Sequence, residues 1–478
     1  VRIKKMAQRS GHYCHRFWLT DTQIESRKTI MLKDKPARAA ALRMGFAGWL
    51  FAGGLLSVSS PVAALVVADR MDMSVYETEM PTLRLTRSLA SAFPADDNDG
   101  QRTKERPDSA ISPTSGEEVP AKSRLKWAGY NKSMVIQSKT QDNAQESYLL
   151  AINRTRIKAT YLLTPSVEMH VENDIEIRAG NYLDTQEFES NKHMPRQQYW
   201  NLQRVLADNR RYYVTDSLFR AHLKWSHDDT DVKIGRQRIP LGTGRIWSTL
   251  DMLNPINPLQ IERDEYVGVD AVLVEQKLGT LSQFLATYAP DPARQDDRWV
   301  MRYRTNQNTS DIAVTLARYW RDNLIGTDVA TQIGDAGLRG ELTYTSPAQG
   351  SAYLKALVGI DYAFPNTFEV SFEAYYSGQS EQDRQQTFAE NPQRLQLQPQ
   401  GSRYGGVRLG YEFTPLWKGK LYFLNNLADR SRFVSPILTY MLSDNINLES
   451  GAQFFFGSTE SEYGRGKSLY YAQLQCFF

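Results

Sequence analysis

Little in this chain supports the commoner kinds of protein chemistry. It has only two cysteines in 478 residues, Cys14 and Cys476, too few for a disulfide framework. Past residue 68 no apolar run approaches the ~18 residues that suggest a membrane-spanning helix. There is no phosphate-binding loop, dinucleotide fingerprint or zinc spacing, so no cofactor is expected. His193 and Met194 lack ligand spacing, so no metal is expected either. The formal net charge of +3 gives no basis for nucleic-acid binding. A hydrolase would need a nucleophile, a base and an orienting acid held together. The only candidates are His170 near Glu172 and Asp174, and His222 with Ser217, and none sits in a nucleophile motif. The chain is therefore expected not to be an enzyme.

What the chain does have begins near its start. Residues 1–30 show no periodicity and read as an upstream extension before a true start at Met31. Lys33, Lys35, Arg38 and Arg43 then precede an uncharged run from Met44 to Ala68, with small residues around Pro61 to Ala64. A basic region, an apolar core and a small-residue cleavage site are the parts of a secretory signal peptide, expected over 31–68. An uncleaved anchor is the alternative reading of the same run. Residues 69–123 are rich in Asp, Glu, Arg, Ser and Pro and read as a disordered periplasmic linker.

From 124 to 478 the texture changes to short alternating runs rich in aromatics. Val167, Met169, Val171, Ile175, Ile177 and Ala179 share one parity, against Glu168, His170, Glu172, Asp174, Glu176 and Arg178. Phe219, Ala221, Leu223 and Trp225 oppose Arg220, His222 and Lys224, and Phe368, Val370, Phe372 and Ala374 oppose Glu369, Ser371 and Glu373. A period of two marks strands with one apolar face. Tyr161, Trp225, Trp299, Tyr376, Tyr411 and Trp417 fall near strand ends, where interfacial girdles belong. The mean hydropathy of −0.51 does not argue against membrane insertion, because only alternate residues of a barrel face lipid.

The final strand ends on Phe478, with Cys476, Leu474, Ala472 and Tyr470 on its parity. This resembles the C-terminal signal of Gram-negative outer-membrane β-barrels, so Phe478, Cys476 and Leu474 are expected to carry an assembly signal. Connection lengths agree. Short links such as 164–166, 227–230, 278–280, 364–366 and 443–445 follow even-numbered strands, whereas the long connections 183–211, 240–266, 379–402 and 458–466 follow odd ones. Outer-membrane barrels put short turns on the periplasmic side and long loops outside. The expectation is an all-β fold, a transmembrane antiparallel up-and-down barrel of eighteen strands over 124–478, with sixteen possible because three strands alternate poorly. Pro436 inside a strand implies a bulge or a shortened strand. Arg236 and Arg238 share parity with Val232 and Ile234, which implies a bulge or a rim approach that re-aims them.

The inward parity carries most of the charge. Arg154, Arg156 and Lys158 face Glu172, Asp174 and Glu176, with Arg178, Arg220 and Lys224 following, and Arg302, Arg304, Glu369, Glu373, Arg408 and Glu412 further round. These residues either pair across strands to stiffen a wet interior or select permeants by charge and size. The Gly/Pro-rich segment after Arg236 and Arg238, with Arg245, Asp251 and the acidic run at Glu262, suits an inward-folded loop. Gly235-Arg236-Gln237-Arg238, with Gly244, Arg245 and Trp247, resembles the alginate-export type of outer-membrane porin. That resemblance implies an eighteen-stranded barrel with an arginine-rich lumen that passes an acidic polysaccharide.

The expected function is an outer-membrane channel of a Gram-negative cell, passing hydrophilic and preferentially anionic or sugar-acid solutes. An exopolysaccharide export pore is the second reading, and a barrel-displayed enzyme or adhesin the third. The expected partners are outer-membrane lipid, the barrel-assembly machinery and the permeant. Replacing Arg236 and Arg238 by Ala is expected to shift selectivity toward cations.

Overall fold

The computed structural model describes residues 123–478, apart from 142–144, 193–197, 264–265, 292–296 and 391–398. The expected upstream extension, the signal peptide and all but the last residue of the linker lie outside the described residues. The strands begin with β1 (Leu125–Lys139), β2 (Ser147–Thr164), β3 (Val167–Ala179), β4 (Gln203–Asp208), β5 (Tyr212–His227) and β6 (Thr230–Gln237). They continue with β7 (Val269–Lys277), β8 (Ser282–Ala289), β9 (Arg298–Gln307), β10 (Ser310–Tyr319), β11 (Asp322–Ile333) and β12 (Ala336–Ser346). The last are β13 (Tyr353–Ala363), β14 (Glu369–Ser377), β15 (Arg403–Glu412), β16 (Trp417–Asn426), β17 (Ser431–Ser443), β18 (Ile446–Phe456) and β19 (Leu469–Phe477). Two short helices, α1 (Gln186–Lys192) and α2 (Glu381–Glu390), sit in long connections.

Each strand pairs antiparallel with its neighbour in sequence, except that β3 pairs β5 directly, and β1 pairs β19 to close the sheet. β4 pairs only with β5, over residues 213–217, beyond the stretch of β5 that pairs β6. Leaving β4 aside, eighteen strands close an antiparallel cylinder. At the seam Gly129 and Phe478 exchange backbone hydrogen bonds of 2.8 and 2.9 Å, and Tyr130 lies opposite Phe477.

Side-chain parity separates the two faces. Outward residues such as Ile157, Leu223, Ile234, Leu316, Ile325, Leu342 and Val358 are apolar and exposed, Val358 to 62%. Trp225, Tyr376, Tyr411 and Trp417 are exposed near the strand ends. Inward residues are charged along much of β2, β3 and β5 but mostly small or apolar along β7 to β11, where Ala271, Leu273, Ala289, Val300, Ala313 and Ala317 are buried and Arg302 and Asp328 form an ion pair. That second stretch explains why β10 and β11 alternate poorly in sequence. Where they meet an internal loop, both of their faces need apolar or small residues, one against the exterior and one against the loop, yet burial alternates along most of each strand. The sixteen-strand alternative therefore falls.

Two local expectations are corrected. Pro436 produces neither a bulge nor a shortened strand. β17 keeps one register from Val434↔Phe454 to Ile437↔Gly451, and Ser435 and Pro436 simply lack ladder partners on β18, so the missing N–H falls in a gap. In β6 no register shift re-aims Arg236: the ladders to β5 and β7 run through it unbroken. Gly235 instead takes φ +126°, where a Cβ would collide with the Ala221 carbonyl.

Candidate functional site

The connection between β6 and β7 leaves the wall and folds into the cylinder. Its apolar residues Ile239, Leu241, Leu250, Met252 and Leu253 pack on the inner face of β7 to β11 through Leu273, Val300, Ala317, Tyr319 and Leu324. Further along, Ile246 and Trp247 pack on Leu357, Tyr375, Tyr404, Leu424 and Phe433. Gly406 makes room for the Trp247 ring, since a Cβ there would meet it at 2.8 Å.

Two wall carboxylates fasten this loop. Glu341 of β12 accepts the Thr243 and Gly244 N–H groups at 2.6 and 2.8 Å and the Thr249 N–H at 2.6 Å, with both the Ser248 and Thr249 hydroxyls donating as well. Glu373 of β14 accepts the N–H groups of Arg245, Ile246 and Trp247 at 2.7, 2.8 and 3.2 Å and pairs with Arg339 at 3.2 Å. Successive backbone N–H groups make a concave nest that suits an anion, here supplied by the protein itself. Gly242, at φ +81° and against the Glu341 carboxylate, permits the approach. Within the loop the buried Asp251 accepts N–H groups from Asn254 and Leu241, and burial raises its pKa to about 7. Arg245 reaches Asp361 at 3.5 Å, and burial, then the nearby Arg339, lowers its pKa to about 10, so it stays charged.

The opposite arc of wall is polar. Arg156, 2% exposed, holds Asp174 through two 2.6 Å bonds and stacks 3.5 Å above the Phe219 ring. Arg154 binds Glu176 at 2.6 Å on one side and Glu262 of the loop at 2.8 Å on the other. Glu176 also takes Arg178 at 2.6 Å, and Glu172 takes Arg220 at 3.3 Å and His170 at 3.0 Å. Lys158 lies opposite Glu172 in register. Between this arc and the loop is a cavity of about 390 Å³, lined by Arg154, Arg156, Glu176, Arg178, Ser217 and Glu262 among others.

The remaining residues marked in the sequence scatter. Lys224 pairs with Asp231 at 3.4 Å, Arg302 with Asp328 at 2.5 Å, Arg304 with Asp311 at 2.6 Å and Glu412 with Lys418 at 2.6 Å. Glu369 is half-buried opposite Gly410, and Arg408 lies opposite Ser371. Phe478, Cys476 and Leu474 share the outward parity of β19 at the seam.

Two residues expected to line the pore do not face open lumen. Glu373, 0% exposed, is consumed by the loop's backbone. Arg236 keeps the outward parity of Ile234 and is buried at the end of β6 with Asp270, at 2.9 Å. The Trp200 segment covers this pair: its carbonyl accepts from Arg236 and its N–H donates to Asp270. Arg238 stacks 3.8 Å from the Tyr266 ring. Ser217 stands opposite Asp174 and His222 opposite His170, four positions apart along β3, or roughly 13 Å at the rise of a strand. Serine and histidine are not brought together.

Sequence reasoning missed Glu341, Arg339 and Lys132. The parity of Leu342 and Tyr344 would have placed Glu341 and Arg339 inside. Nothing local marks Glu341 as the fastening point for a loop about a hundred residues away.

No family model matches the chain, and no curated protein matches it. Among solved structures it is similar to OpdK of Pseudomonas aeruginosa with vanillate, at 8% identity and TM-score 0.47, covering 74% of this chain and 98% of that one. It is similar to OccAB1 of Acinetobacter baumannii at 12% identity and TM-score 0.48, covering 76% and 99%. A third, OccK7 of Pseudomonas aeruginosa, is 10% identical at TM-score 0.45, covering 74% and 99%.

Proposed function

We propose that this chain is a passive outer-membrane channel for small hydrophilic solutes, with a preference for anions such as sugar acids. The observation that carries the reading is one closed cylinder with an exposed apolar exterior, a charged interior, and a loop folded inside it. An apolar belt around the whole barrel is stable against lipid and not against water. Inside, the loop packs dry on one arc and leaves a charged cavity on the other, so a solute passing there meets guanidinium groups. The outer leaflet and the assembly machinery that reads a terminal Phe would be its partners.

Export of an acidic polysaccharide is the weaker reading. The residues that suggest it are committed elsewhere, Arg236 to Asp270 and Gln237 to the Ala271 carbonyl. Reconstitution in planar bilayers tests the proposal. Discrete conductance steps with a reversal potential on the anion side are expected; a folded barrel that never conducts would end it.

A further inference from the structure

At one place on the inner wall a cation is paired with the folded-in loop and not with the wall. On β2, β3 and β5 the guanidinium groups have wall carboxylates: Arg156 has Asp174, Arg178 has Glu176 and Arg220 has Glu172. Lys132 of β1 is different. It is 7% exposed, and among the described residues its ion-pair partner is not on the wall but on the loop, Glu262, at 2.8 Å. Arg154 lies directly opposite Lys132 in register and turns Nη1 toward the same Glu262, also at 2.8 Å, while its Nε and Nη2 stay on Glu176. The two oxygens of one carboxylate thus take one donor each, Oε1 from Lys132 and Oε2 from Arg154. Arg154 and Glu262 line the cavity of about 390 Å³, and Lys132 lies behind the Glu262 carboxylate, 7% exposed.

We propose that Lys132 and Arg154 form a receiving site for a permeant's carboxylate, and that Glu262 is a tethered stand-in occupying it. This assignment rests on the channel reading above and names its permeant class, a hydrophilic monocarboxylate. Loss of Glu262 without a replacement would leave a lysine 7% exposed and one face of an arginine without a counter-ion, a costly state. An incoming carboxylate that takes over both bonds removes that cost, so it can displace Glu262, whereas chloride or a neutral sugar can satisfy the two donors only in part. A tethered competitor also weakens the site for its ligand, multiplying the apparent Kd by the inverse of the fraction of time it leaves the site free. The path is then gated by its own cargo.

The test uses the chain folded in detergent, with D-glucuronate as probe and D-glucose as control. Calorimetry measures equilibrium binding, and bilayers measure block of chloride current. Glu262→Gln keeps the shape and removes the competing charge; it is expected to tighten glucuronate binding roughly tenfold, the factor for a competitor present ~90% of the time. Adding Lys132→Met to that variant should abolish the gain, and glucose should bind none of the proteins. Retained heat-modifiable migration on gels shows that each variant is folded. Unchanged glucuronate affinity in Glu262→Gln, or a gain that survives Lys132→Met, overturns the assignment. Absence of any current with binding intact would overturn the channel reading and leave the site standing.

Discussion

The two arcs of the inner wall solve the same problem in opposite ways. From β7 to β11 the inward side chains that meet the loop are small or apolar, and the loop packs on them as it would in the core of a soluble domain, while the ion pair of Arg302 and Asp328 lies further along the same wall. Along β2, β3 and β5 many of the inward side chains are long and ionised, and they satisfy one another across strands. The first arc holds protein against protein and excludes water; the second keeps a cavity open. A β-barrel interior is therefore not uniformly polar. Its chemistry follows what each strand meets, and a folded-in loop makes part of the lumen wall into a core.

The sharpest way to break this contrast is to release the loop from the dry arc. Glu341→Ala and Glu373→Ala each strand several backbone N–H groups in a dry site, and Glu373→Ala also strips Arg339 of a partner. Each should destabilise the barrel by about 3–5 kcal/mol and raise both mean conductance and open-channel noise. Thermal unfolding on gels and single-channel records check this. Conductance equal to that of the parent chain would mean that the loop does not narrow the path.

The next test concerns a charge that belongs to neither arc. Arg236→Ala leaves Asp270 buried without its cation, which should cost about 3 kcal/mol or more. The reversal potential should nevertheless stay where it was, because the pair sits on the outward parity. A shift toward cations would return Arg236 to the path.

The smallest effect, taken over a single pH step, is the response of the dry arc to titration. Burial raises the pKa of Asp251 to about 7, so the folded loop prefers the neutral acid. That preference stabilises the folded loop fully below the ordinary carboxylate range near ~4, and the contribution is lost as pH rises through about 7. Within that window each step of one in pH removes roughly 1.4 kcal/mol. Channel noise should therefore rise between pH 5 and pH 7 and level off above, and Asp251→Asn should flatten the rise. Noise that is equally pH-dependent in the Asn variant would assign the response to another group.

Much of the architecture is readable in the sequence because a barrel repeats two simple rules. Alternation at 167–179 and 368–376 and the segregation of short and long connections lead to eighteen strands. The cross-strand pairs of Arg154, Arg156 and Arg220 with Glu176, Asp174 and Glu172 also follow from parity. What is not readable depends on contacts between segments far apart in the chain. Glu373 looks like a pore-lining acid until the loop's N–H groups are placed on it. Arg236 looks like part of an arginine-rich loop until the Trp200 segment is seen to cover it. The weak alternation of β10 and β11 leaves the strand number open in sequence, and it is the trace of the dry arc.

The fastening of the loop also sets an order of events. Thr243 and Arg245 reach carboxylates that lie 98 and 128 residues later in the chain. Until β12 and β14 have been synthesised and inserted, those amides have no partner but solvent. These two anchors can then form only once the wall has been laid down through β14, and an intermediate halted short of β12 would hold a slack, hydrated strap where the mature wall has a seated one.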